Sequence, residues 1–143
     1  MPARNSFEYA MIRVVPRVER GEFINAGVIL FCRTRRFLDA RIALDHQRLA
    51  ALAPTLDPAL VQQYLDAILL VCAGGAAAAP LGLLPQAERF RWLAAPRSAI
   101  IQASPIHGGR CVDPAAVLDD LLQTMVKLPG LARDEPAALL GGP

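Results

Sequence analysis

Apolar and polar positions alternate first with the period of a strand and later with the period of a helix. In FEYAMIRVV, Phe7–Val15, the residues Tyr9, Met11, Arg13 and Val15 alternate with Glu8, Ala10, Ile12 and Val14. A period of two predicts a strand. EFINAGVILFC, Glu22–Cys32, is nearly continuous in apolar residues, as a strand covered on both faces is. Pro16 stops the first ladder and Gly21 supplies a turn, so PRVERG joins the two runs as a hairpin. RFLDARIAL predicts a third strand, with Leu38, Ala40, Ile42 and Leu44 on one side and Asp39 and Arg41 on the other.

The pattern then changes to helical spacing. Asp45 caps HQRLAAL, which Pro54 ends. Asp57 followed by Pro58 is a cap and a first-turn proline. Leu60, Val61, Tyr64, Leu65, Ile68, Leu69 and Cys72 follow at helical spacing until Gly74. GGAAAAPLGLLP is a low-complexity connector, and QAERFRWL is a short helix between Pro85 and Pro96. RSAIIQAS, bounded by Pro96 and Pro105, predicts a fourth strand. Asp113–Pro114 starts a last helix bearing Val117, Leu118, Leu121, Leu122, Met125 and Val126. Strands first, helices later and one returning strand give an α+β fold. We expect a mainly antiparallel sheet of about four strands with the helices packed on one face. One domain spans 1–128, and residues 129–143 read as a flexible tail.

Composition narrows the function. The chain has 143 residues, 54% of them hydrophobic, which supports a core without metal or disulfides. A net charge of +2 lacks the basic excess of a nucleic-acid binder. Cys32, Cys72 and Cys111 are odd in number and widely separated, which argues against a disulfide framework or a structural zinc site. The longest apolar run is broken by Gly74, Gly75 and Pro80, so no membrane span is expected. MPARNSFEYA carries no signal-peptide pattern, and the expected location is the cytoplasm. No phosphate-binding loop, dinucleotide fingerprint or Gly-x-Ser-x-Gly elbow occurs, and no cofactor or metal is expected.

One segment departs from the Leu- and Ala-rich background. RFRWLAAPRSAIIQASPIHGG gathers three arginines, the only tryptophan, a glutamine, two serines and a histidine. Alternation in its strand puts Ser98, Ile100, Gln102 and Ser104 on one side, a face better suited to hydrogen bonding than to a core. Arg91 and Trp92 share a helix surface with Glu88, and His107 falls in a glycine-rich turn. A second polar cluster lies in the hairpin: Arg17, Glu19, Arg20 and Glu22, with Asn25 and Gly27 just beyond. Pairing of the fourth strand beside the hairpin would bring these clusters together. The guanidinium fork fits phosphate or carboxylate, so the expected ligand is anionic, a phosphate-containing small molecule or an acidic group of a protein partner. The bland alternatives are Trp92 as a core anchor, the arginines as surface ion pairs, and His107 and Asn25 as hydrogen-bonded structure.

YAMIRVVPRVERGEFINAGVILFC together with RFRWLAAPRSAIIQASPIHGGRCVDP resembles the bacterial domain of unknown function DUF3037, over about Phe7 to Lys127. The paired motifs RVERGEFINAG and RFRWLAAPRS carry the resemblance, and Ala99 stands where it implies a threonine. The resemblance assigns no activity. It implies a small cytoplasmic bacterial protein and a HipA-like kinase-fold protein as partner. Three readings follow. One is a non-enzymatic binding or accessory module using the two clusters. Another is a small enzyme on a nucleotide or phosphate ester with His107 as general acid or base. The third is a purely structural polar network.

Overall fold

β1, Asn5–Val14, is the spine of a five-stranded antiparallel sheet in the computed structural model, which describes residues 3–127. Its one edge pairs with β2, Ile24–Cys32, which pairs in turn with β3, Phe37–Ile42. Its other edge is shared by two short strands. β4, Ile101–Ala103, lies against Ile12–Val14, and β5, His107–Cys111, lies against Asn5–Tyr9. The fold is α+β, and the expected tail at 129–143 lies outside the described residues.

The fourth strand is shorter than its alternation predicts. Residues 98–100 bend, and only Ile101–Ala103 form ladder. The PIHGG segment, expected as a turn, instead carries β5. Gly108 and Gly109 both pair with β1, and Gly109 fits where a side chain would not: a Cβ there would sit 2.6 Å from the Phe7 ring. Ser104 links the two short strands. Its N–H donates to the Met11 carbonyl at 2.9 Å, and its Oγ accepts from the Met11 N–H at 2.8 Å. A side-chain oxygen thereby takes the place of a backbone acceptor for the Met11 N–H.

A β-bulge sets the faces of β2. Ile12 pairs with Gly27 and Arg13 with Asn25, so Ala26 is the extra residue. Ile24, the bulged Ala26, and Ile29 and Phe31 after it join one core, while Val28, Leu30 and Cys32 join another. Gly27 fits because a Cβ there would lie 2.7 Å from the Arg41 carbonyl oxygen.

Helices cover both faces of the sheet, where the sequence pattern predicts one. α1 (His46–Leu52), α2 (Pro58–Ala73) and α3 (Gln86–Ala94) bury Leu49, Val61, Leu65 and Phe90 against the first core. α4, Pro114–Leu121, continues as a π-helical turn, Leu122–Val126, and buries Leu118, Leu122 and Val126 on the opposite face. The second covering follows from β2 itself, whose apolar residues face both ways and leave neither face suited to water. The caps form as the sequence requires: Asp45, Asp57 and Asp113 each accept from backbone N–H groups of the first turn. Leu60 and Tyr64, placed by periodicity in the apolar stripe of α2, are exposed.

Arg89 is the one buried arginine among the described residues, and it ties α2 to α3. Its Nη1 donates to the carbonyls of Val71 and Cys72 at 2.8 and 2.7 Å, and its Nε donates to that of Leu84 at 2.8 Å. A cation here satisfies the orphan carbonyls at the negative end of a helix. Arg89→Met keeps much of the apolar stem and removes every donor. We predict a loss of about 2–4 kcal/mol in urea unfolding; an unchanged midpoint would show that the carbonyls have other donors.

Candidate functional site

Chain from the end of α3 to β4 crosses the mouth of the hairpin. Pro96 follows the last turn of α3 and sends residues 97–100 outward before Ile101 joins the ladder. Arg97 folds back over α3: its guanidinium carbon lies 4.3 Å from the centre of the Trp92 ring, and its Nη2 donates to the Trp92 carbonyl. Gln102 donates from Nε2 to the Ala99 carbonyl at 2.9 Å, which braces the bend. The ladder sets Gln102 opposite Arg13 on β1. Arg13 stacks on Phe23 with 4.1 Å from its guanidinium carbon to the ring centre, and its buried Nε has no partner among the described residues.

Two cavities adjoin this segment, and Arg97 and Gln102 line both. The first, about 490 Å³, opens between α2, α3 and β4. Ile12, Ile68, Val71, Leu93 and Ile101 are among its walls, and Tyr64 and Trp92 also line it. The second is a cleft of about 500 Å³ between the hairpin and the bend, lined by Arg13, Val18, Phe23, Arg97 and Ser98 among others. None of the residues lining the cleft is acidic.

Hairpin and late segment do meet, with Arg97 at the junction but without the hairpin charges Arg17, Glu19, Arg20 and Glu22. Arg17 pairs with Glu19 at 2.9 Å and Arg20 with Glu22 at 2.6 Å, all on the surface. Backbone hydrogen bonding, then the Arg17 side chain, holds the Glu19 carboxyl below the usual range, and the Arg20 hydrogen bond does the same for Glu22. Val18, Gly21 and Phe23 are the hairpin residues that reach the cleft. Asn25 stands beside Arg13 across the β1–β2 ladder but is outside the cleft lining, and it donates from Nδ2 to the Met125 carbonyl at 3.1 Å. Arg91 is exposed and lines neither cavity. Trp92 is 43% exposed; the anchor of α3 is Phe90, which stacks on Phe31 with ring centres 5.5 Å apart. Ser104 is 3% exposed and serves the β1 ladder. Arg13 is the residue that sequence reasoning passes over. Its signal is a charge inside IRVV, where both neighbours are core residues.

His107 stands on β5 against the Tyr9 ring, with centres 5.4 Å apart. It pairs with Tyr9, whereas Gln102 pairs with Arg13, so roughly 13 Å of strand separates the two positions. Cys111, at the other end of β5, is buried with its thiol raised by burial and by Cys32, and it makes no nucleophile pair with His107. No group of three metal-ligating side chains occurs among the described residues, and no described helix is long and apolar enough to cross a membrane.

Burial pushes the Cys72 thiol up to about 12 from an ordinary 9.0. The unfolded chain therefore ionises this thiol first, and its contribution to stability is lost as pH rises from the ordinary value through the folded one. We predict a steeper fall in urea midpoint between pH 8 and pH 10 for the native chain than for Cys72→Ala; equal slopes would contradict it. The folded protein should also leave all three thiols unreactive to Ellman's reagent at pH 8.

The family model described as "Protein of unknown function (DUF3037)" matches residues 9–126. That span includes Arg13, the hairpin, Trp92, Arg97 and Gln102. No curated protein and no solved structure matches the chain. With both quoted motifs inside a match over most of its length, the chain belongs to the DUF3037 family.

Proposed function

We propose that this protein is a non-enzymatic binding module that holds the anionic group of a ligand in the cleft between Arg13 and Arg97. One observation carries the reading: two guanidiniums line one cleft that contains no carboxylate. Three other arginines are neutralised by carboxylates. Arg17 and Arg20 have glutamate partners, and Arg41 is bound by Asp39 and Asp119 at 2.7 and 2.8 Å. Arg13 and Arg97 lie on aromatic faces and have no carboxylate partner in the cleft; such faces orient a guanidinium without cancelling its charge. An incoming carboxylate or phosphate would meet two such forks and the Ser98 hydroxyl.

A buried structural network would require Arg97 and Gln102 to be enclosed and bonded to each other. Arg97 is exposed, Gln102 is half-buried, and each donates only to a nearby backbone carbonyl. The catalytic alternative would require His107 at the anion, and β1 holds it several ladder positions away. An acidic side chain of a protein partner, such as the kinase-fold protein suggested by the family resemblance, is the second occupant the cleft suits. Val18 and Phe23 support it, at 40% and 44% exposed beside the cleft, since partners bury apolar rims of this kind.

Titration of the ¹⁵N-labelled protein with inorganic phosphate and with acetate tests the reading. We expect saturable shifts of the Arg13 and Arg97 Nε–H signals and of the Trp92 indole, abolished in Arg13→Met/Arg97→Met with the remaining spectrum preserved. Absence of shifts, or identical shifts in the double variant, would overturn it.

A further inference from the structure

We infer that the ligand is an amphiphile: an aliphatic chain seated in the apolar cavity, ending in the anionic group held at Arg97 and Arg13. This rests on the anion-binding reading and names the ligand class for the same site.

Three observations carry it. Arg97 and Gln102 line both the cleft and the apolar cavity, so a head group at Arg97 stands at the border of an apolar chamber. The chamber, about 490 Å³, is within the size range of small-molecule pockets. Its side-chain hydrogen-bonding groups come from Tyr64, Trp92, Arg97 and Gln102, while the walls from Ile12, Ile68, Val71, Leu93 and Ile101 have none. A base or a sugar hydroxyl buried there would lose its water without replacement. A nucleotide or sugar phosphate is thereby disfavoured, and a hydrocarbon chain is favoured. Finally, Tyr64 and Trp92, 46% and 43% exposed, flank the same chamber. Large aromatics left in water beside an apolar hollow gain from a chain that covers them.

Calorimetric titration with acetate, butanoate, hexanoate, octanoate, octyl phosphate and octanol tests the inference. Affinity should rise about fourfold with each methylene along the carboxylate series, and octanol should bind at least tenfold more weakly than octanoate. Comparison of octanoate with octyl phosphate reports which head the arginines prefer; tight binding of either supports the inference. Ala67→Trp, at an exposed position of α2 on the chamber wall, should flatten the chain-length dependence while leaving the acetate and phosphate shifts intact. Equal affinity for acetate and octanoate, or for octanol and octanoate, would overturn the amphiphile and leave the anion module standing. No shift with phosphate or acetate, together with no heat from any chain, would remove both.

Discussion

Everything at the candidate site depends on backbone pairing along the outer edge of β1. That edge is occupied by residues roughly ninety positions away in sequence, as Met11 bonding to Ser104 shows. Closing so long a loop is entropically unfavourable, and the apolar packing on both faces of the sheet offsets it. Once Ser104 fixes the register, Gln102 stands opposite Arg13, and the bend at 98–100 carries Arg97 to the hairpin. Arg89 fixes the other approach, because it holds α3, and so Trp92, against the end of α2.

On this frame two groups of arginine stand in contrast. Arg17, Arg20 and Arg41 are neutralised by carboxylates, and surface pairs of this sort add little to stability. Arg13 and Arg97 lie on aromatic rings around a space without acidic groups. Such an arrangement does little for folding and concentrates positive potential where a ligand can enter. The adjoining apolar chamber gives that potential a direction, with charge at one end and hydrocarbon at the other.

Much of the fold is legible in the sequence because its signals are local. Asp45, Asp57 and Asp113 mark helix starts that need no tertiary context, and alternation in RFLDARIAL suffices for β3. β5 is hidden because its glycines read as a turn, whereas at Gly109 the Phe7 ring leaves no room for a side chain. The covering of the second face by α4 is implicit in the two-sided apolar character of β2, but periodicity does not say which helix takes which face. At the site, Arg97 and Gln102 are conspicuous between two prolines, and Trp92 by being unique. Arg13 is not, since its role arises only when Phe23 and Gln102 arrive beside it. The hairpin charges stand out in the sequence and yet neutralise one another, because residues two apart in a tight turn reach each other before anything else does.

The central claim is that Arg13 and Arg97 act on one charge. A double-mutant cycle on octanoate affinity, with Arg13→Met, Arg97→Met and both together, measures this directly. The account predicts that the second substitution costs much less once the first is made, because either loss already frees the head group. Independent, additive losses would contradict it, as would wild-type affinity in the double variant.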